Sequence, residues 1–268
     1  MSKRNSQEAK RAARERLRIE REKQARKDKV RRQLIVAAAV VGLLAVVGGI
    51  GFAVANLERG GDGGTEKSWA TVADRKLVKP VNAQGENGTV VVLGGEDAKT
   101  TIDVYEDMRC PACANFEQQL GEPLKQGAKD GKYKLQVHLG AIIDGNVGGN
   151  GSKNAISALG AALNVSTEAF TEYHSLLYSA EHHPAEPEDK FADNDYLLEV
   201  AENVEALKGN KKFEQAVEKG TYDKWALEMV ESFNDAKIQG TPTVRIDGKD
   251  VEISKLPAEL DKLGVKLQ

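Results

Sequence analysis

The stretch MRCPACANFE, Met108 to Glu117, holds the only two cysteines in 268 residues. Cys110 and Cys113 bracket Pro111 and Ala112. If a helix begins here, Cys110 sits at its N-terminus, where unpaired N–H groups and the helix dipole favour a thiolate. Cys113 then lies one turn in, close enough to resolve a mixed disulfide formed on Cys110. Pro111 suits the first helical turn, where a missing N–H costs little. The chemistry this spacing serves is thiol–disulfide exchange. Two other uses compete with it. A structural disulfide closing two intervening residues removes little unfolded-state entropy and makes a poor staple. A zinc site would use both thiolates as half of a tetrahedron, but no second cysteine pair completes it. His138, His174, His182 and His183 remain as donors in principle. His182-His183, beside Pro184 and acidic residues, reads as an exposed loop, and the others read as surface or satisfied core histidines. Neither a metal nor a cofactor is expected.

The elements around the pair must hold it in place. TVVVL (Thr89–Leu93) and TIDVY (Thr101–Tyr105) read as strands ahead of it. A helix follows from Cys113 to about Leu120, with Gly121 and Pro123 kinking or ending it. YKLQVHLGAII (Tyr133–Ile143) reads as a third strand. Apolar faces at helical spacing come next: Ile156, Leu159 and Leu163; Phe170, Tyr173 and Leu177; Leu197, Val200 and Val204; Phe213 and Val217; then Trp225 to Ile238. Thr243–Ile246, the turn Asp247-Gly248 and Val251–Ile253 form a hairpin signal, because Asp-Gly accepts the positive φ angles of a tight primed turn. A last short helix follows Pro257. The order of strands, a block of helices and a closing hairpin suits a small α/β sheet interrupted by a helical insertion. The aromatic and leucine faces of the block are read as core.

Charge divides the chain. Residues 1–32 carry fourteen Lys/Arg against five Asp/Glu, a net of +9, and the remainder carries twenty-four against thirty-six, a net of −12. Between them Leu34 to Ala55 runs for 22 residues without a charge. At about 1.5 Å per residue a helix of that length covers the roughly 30 Å hydrocarbon core of a bilayer. A cleaved signal peptide is the rival, since Ala53-Val54-Ala55 resembles a cleavage site. The apolar run is long for that, however, and the charged segment before it is far from short. Positive charge on the N-terminal flank keeps that side in the cytoplasm. The expected layout is a basic cytoplasmic segment (1–32), one transmembrane helix (33–57), a linker and N-terminal extension (58–88) that includes the glycine-rich RGGDGGTEKS, and a folded domain (89–268). The basic head reads as a solvated helix that sets topology and touches anionic lipid, in preference to a nucleic-acid-binding arm.

With these pieces assembled, the sequence resembles the membrane-anchored bacterial thiol-disulfide oxidoreductases of the DsbA type. EDMRCPACANFE looks like that family's active-site strand–turn–helix, and IQGTPTVRIDGKDV (Ile238–Val251) like its cis-proline strand and terminal hairpin. The resemblance implies an α/β, thioredoxin-like fold with a helical insertion at about 150–236. It implies a nucleophilic Cys110, a resolving Cys113, and Pro111 and Ala112 tuning the potential. It also implies a cis Pro242 against the disulfide, with Thr241 presenting backbone to an extended substrate. The partners it implies are reduced exported proteins as substrates and a membrane quinone-linked reoxidase.

One departure stands out. Relatives often carry a buried acid six residues before the first cysteine, and that position here is Val104. Glu106 or Asp107 would have to substitute in proton transfer. The resulting expectation is a tethered, extracytoplasmic dithiol oxidase. A reductase or isomerase working in the other direction, and a thioredoxin-fold binding protein whose cysteines no longer turn over, are the alternatives.

Overall fold

The computed structural model describes residues 69–266 apart from Glu86 and Glu96. The basic head, the apolar stretch expected to span a membrane and the glycine-rich linker lie outside the described residues. Among the described residues no helix is long and apolar enough to cross a membrane.

In chain order the elements are helix α1 (Trp69–Val72) and strands β1 (Val91–Leu93) and β2 (Thr101–Asp107). Helix α2 (Pro111–Phe116), a π-helical turn (Glu117–Gly121), helix α3 (Glu122–Lys129) and strand β3 (Lys134–Gly140) follow. Six further helices come next: α4 (Ile142–Asn146), α5 (Gly151–Val165), α6 (Thr167–Leu177), α7 (Asn194–Ala201), α8 (Lys211–Glu218) and α9 (Asp223–Asp235). The chain closes with strands β4 (Thr243–Ile246) and β5 (Lys249–Val251) and helix α10 (Leu256–Lys262).

The five strands form one sheet in the order β1-β3-β2-β4-β5. β2 and β3 are parallel, joined by the α2–α3 crossover, and all other pairings are antiparallel. The β4–β5 turn has the dihedrals its sequence demands, with Asp247 at φ 49° and Gly248 at φ 75°. Asp247 also accepts a hydrogen bond from the Thr101 backbone N–H at 2.9 Å, tying the hairpin to the start of β2.

The crossover helix does not end at Gly121. A π-turn inserts a wider loop at Glu117–Gly121 and the helix resumes, with Pro123 in the first turn of α3 where no N–H is needed. Gly121 has a different task from breaking the helix. A Cβ there would collide with the Glu117 carboxylate, so the missing side chain lets Glu117 fold back over the turn.

α5 (GSKNAISALGAALNV) is buried on nearly every side, which is what a helix of small and apolar residues does. It runs through the insertion against α6, α8 and α9. Residues 69–88 strap across it: Asn82 donates to the Leu163 carbonyl at 2.8 Å, and Arg75 pairs with the buried Asp223 at 3.2 Å. Val72 is fully buried. Packed structure is therefore already present in residues 69–85, well before the strand at β1.

The end of β2 is bolted to the insertion by a buried arginine. Arg109 donates to Asp144 at 2.9 Å, to the Gly148 carbonyl at 2.7 Å and to the Glu186 carbonyl at 3.1 Å, and it pairs with Asp189 at 3.0 Å. The two carboxylates have a second role. Asp189 accepts from the backbone N–H groups of Asn150 and Gly151, and Asp144 from those of Ser152 and Lys153. They thus satisfy the orphan donors at the start of α5 while holding the guanidinium. Gly149, at φ +93°, has no room for a Cβ beside Asp189. Removing one partner of a buried ion pair leaves the others uncompensated, so Arg109→Met should lower stability by about 3–5 kcal/mol. Denaturant unfolding checks this, with Lys190→Met as the reference, since its pair with Glu188 is exposed and worth at most about 1 kcal/mol. A loss at Arg109 no larger than at Lys190 would contradict the bolt.

Candidate active site

β2 delivers its last residues to the edge of the sheet, and the chain turns directly into α2. The Cys110 N–H donates to the Asp107 carbonyl at 2.9 Å, and the Cys110 carbonyl accepts from Ala114 at 3.1 Å. Cys110 is therefore the N-cap residue, in extended conformation (φ −77°, ψ 118°), with Pro111 in the first helical turn. The sequence expectation for this junction holds, except that the helix starts at Pro111 and not at Cys113.

Both thiols are free, and they differ sharply. Cys110 keeps 7% exposure and Cys113 none, so only the first can meet another molecule. A hydrogen bond from the Cys113 thiol lowers the pKa of Cys110 to about 6 against the opposing effect of burial. A side-chain hydrogen bond from Thr241 and the backbone N–H groups of Cys113 and Ala112 add to the lowering. Burial pushes the Cys113 thiol strongly upward, and its hydrogen bond to Cys110 and the charges of Glu106 and Cys110 push it further. The pair is thus polarised: an ionised outer sulfur and a protonated inner one.

Thr241 and Pro242 arrive from the other end of the chain. The Thr241–Pro242 peptide bond is cis, and the Cys110 thiol lies 3.5 Å from the Thr241 carbonyl. Antiparallel pairing of β4 with β2, with Tyr105 opposite Thr243, brings this loop beside the thiols. Pro111 and Ala112 are exposed next to it, so Cys110, Pro111, Ala112, Thr241 and Pro242 share one patch of surface.

The two acids of β2 have different fates. Successive side chains of a strand alternate in face. Glu106 shares the face of Ile102 and Val104, and Asp107 points the other way. Both are fully buried because helices cover both faces at this end of β2. Asp107 is fully engaged, accepting from Ser152 at 2.6 Å and from the backbone N–H groups of Arg109 and Ile143 at 2.9 and 2.8 Å. It is an anchor for the turn before Cys110. Glu106 is not engaged in this way: neither carboxylate oxygen has a hydrogen-bond partner among the described residues. Burial first, and the charge of Glu117 second, raise its pKa to about 7, with His174 and Lys125 partly offsetting them.

His174 lies against Glu106, with Nε2 3.2 Å from Oε2. It is neither a surface histidine nor a satisfied core one, and its place on the apolar face of α6 with Phe170, Tyr173 and Leu177 gave no sign of the site. His183 also departs from the exposed loop expected for it. It is half-buried, stacked on Tyr178, with Nε2 3.1 Å from the Met108 carbonyl.

A family model described as thioredoxin matches residues 86–263. The reduced form of the disulfide bond oxidoreductase DsbG from Mycobacterium tuberculosis is similar at 25% identity and a TM-score of 0.57, over 68% of this chain and 90% of that one. Oxidised DsbA from the same organism is similar at 25% identity and a TM-score of 0.56, over 66% and 94%. The thiol-disulfide oxidoreductase MdbA from Actinomyces oris shares the fold at 24% identity and a TM-score of 0.53, over 65% and 84%. No curated protein matches the chain. The chain belongs to the thioredoxin family, as an enzyme of the thiol-disulfide oxidoreductase class.

Proposed function

We propose that this protein is a dithiol oxidase that donates a Cys110–Cys113 disulfide to reduced proteins outside the cytoplasm. The observation that carries the direction is the polarisation of the two thiols. An ionised Cys110 stabilises the reduced enzyme, and whatever stabilises the reduced form makes the disulfide more oxidising. The sign matters for pH. The thiolate is present above about pH 6 and absent below it, so the advantage over an ordinary thiol grows from there up to about pH 8.5, where ordinary thiols ionise too.

In the donating direction a substrate thiolate attacks Cys110 Sγ, the Cys110–Cys113 bond breaks, and its electron pair leaves on Cys113. That sulfur is buried and must be protonated as it leaves. Glu106, with its pKa about 7 and its charge felt at Cys113, is the acid we assign to it. Asp107 is assigned an anchoring role, since its oxygens are already occupied. The second substrate thiolate then attacks the substrate sulfur of the mixed disulfide and releases Cys110 as a thiolate. The substrate loses two electrons and the enzyme gains two. Thr241, ahead of Pro242, presents its backbone beside Cys110 for an extended segment to lie against.

Export and tethering rest on the apolar run Leu34–Ala55 and the basic residues before it. They make the natural substrates reduced exported proteins, and the reoxidant a membrane quinone-linked partner of the kind the DsbA resemblance implies.

Three measurements test this reading. Alkylation of reduced Cys110 should follow a titration with its midpoint near about 6, and a midpoint at 8 or above would remove the basis for the oxidase direction. In glutathione buffers the pair should equilibrate at about −120 to −180 mV, whereas a value near −270 mV would mark an electron donor. Cys113→Ser should accumulate mixed disulfides with substrate proteins and Cys110→Ser should accumulate none, and equal trapping by the two would reverse their roles.

A further inference from the structure

Buried and half-buried carboxylates such as Asp107, Asp144 and Asp189 are each met by at least two hydrogen-bond donors. The cluster behind the thiols is different. The side chains of Glu106 and His174 are 0% and 1% exposed. Both oxygens of the one and both ring nitrogens of the other lack a hydrogen-bond partner among the described residues. Glu117, with 6% of its side chain exposed, completes the group, its Oε2 3.7 Å from His174 Nδ1 and 2.6 Å from the Lys125 ammonium. The three converge. Each offers a ligand atom, and those atoms all lie within 4.8 Å of one another.

Two carboxylates and an imidazole are ligands for a divalent transition-metal ion, and coordination is one of the few ways in which such groups are satisfied when buried. Ligands about 2.0–2.2 Å from a tetrahedral ion stand about 3.4 Å from each other. Glu106 Oε2 and His174 Nε2, at 3.2 Å, already have that spacing. Glu117 has to close in by roughly 1 Å. It stands on the π-turn, folded over the space that Gly121 leaves. Lys125 donates to Glu117 and to Ser175, so its single charge balances one carboxylate of the two. A carboxylate accepts at both oxygens, so Glu117 can hold Lys125 with one and an ion with the other.

The donor set also selects the ion. Calcium takes about six to eight oxygen ligands and magnesium keeps several of its waters, so three enclosed ligands that include a nitrogen suit neither. Imidazole with carboxylate suits zinc, which has no redox chemistry of its own to spend on the neighbouring thiols. Asp103 and His138 give the contrast. They touch at 2.9 Å, but no third His, Cys, Asp or Glu among the described residues joins them as a ligand.

We propose that Glu106, His174 and Glu117 form a binding site for one zinc ion behind Cys113. A metal ligand must be deprotonated, so a proton and the ion exclude each other on Glu106. Occupancy therefore withdraws the acid assigned to Cys113, and the zinc-loaded enzyme donates its disulfide slowly. That consequence rests on Glu106 being the acid, whereas the site does not.

Zinc would be titrated into the full-length chain with its cysteines joined as the disulfide, so that neither sulfur holds the ion. Calorimetry and metal content after dialysis would follow binding. The unaltered chain should take one zinc ion. His174→Gln and Glu117→Gln should each weaken binding by about 100-fold or more, since losing even a group behind the ligands costs about 10–100-fold. His138→Gln should change it by less than about 2-fold. Circular dichroism shows which variants are folded, and the two ligand variants lie on separate elements, so one serves if the other fails. An unaltered chain that retains no zinc would overturn the site. Binding that survives both ligand variants, or is lost with His138→Gln, would do the same. A second arm separates the site from the acid: single-turnover reduction by glutathione should be about 10-fold slower or more with zinc bound. An unchanged rate in the loaded enzyme would remove Glu106 as the acid and leave the site standing.

Discussion

A thiolate is stable at Cys110 only because donors converge on it and few charges oppose it. The Cys113 thiol and the first N–H groups of α2 supply the donors, and Pro111 fixes the first turn without adding a competing N–H. Most of the surrounding architecture can be derived from keeping that geometry. β2 must end where α2 begins, so its last residues are tied down from outside the sheet, by Asp107 on Ser152 and Ile143 and by Arg109 on Asp144 and Asp189. The insertion is thus more than a lid. It supplies the carboxylates that hold the approach to Cys110, and the same carboxylates cap the helix on which they depend.

Covering both faces of β2 has a second consequence. Along most of a sheet one acid of a neighbouring pair would reach solvent, but here both Glu106 and Asp107 are enclosed. Enclosure alone does not decide what an acid does. Asp107 meets three donors and becomes a structural acceptor, while Glu106 meets His174 at 3.2 Å and the opposing charges of Glu117 and Lys125. Its proton is therefore held loosely enough to exchange near neutral pH.

Much of this was legible in the sequence. Strand patterning gave β2 and β3, Asp247-Gly248 gave the hairpin, and the helical faces starting at Ile156, Phe170, Leu197, Phe213 and Trp225 fall on observed helices, except that the one at Leu197 ends at Ala201 and leaves Val204 buried in the turns beyond it. Cysteine spacing placed the thiols at a helix start, and the resemblance brought Thr241-Pro242 to them. What could not be read depended on contacts between distant elements. Gly121 and Pro123 read as breakers, but a π-turn absorbs the glycine and places the proline where no N–H is required. Alternation puts Glu106 and Asp107 on opposite faces, yet it cannot say that the insertion would saturate one and leave the other bare. His174 sits among Phe170, Tyr173 and Leu177 on a face that looks like core, and only the packing of α6 over β2 gives it a carboxylate neighbour.

That packing concentrates the protein's electrostatic cost in one place. Asp144, Asp189 and Asp107, though buried or half-buried, are paired with donors, and so is Asp223 by Ser157 and Arg75. Apart from Arg109 Nε, the buried side-chain atoms without a hydrogen-bond partner among the described residues belong to Glu106, His174 and Tyr178, which are contiguous with one another and with Cys113. Were poor satisfaction a general property of the fold, it would be scattered. A cluster of under-bonded groups directly behind a sulfur that must be protonated as it leaves is instead what proton transfer requires, since a proton moves only where a donor and an acceptor can exchange roles. The stability given up there is offset by the hydrogen-bonded networks of Asp107 and Arg109 on the opposite face of β2, which hold the strand still while the interior behind Cys113 stays free to change its protonation.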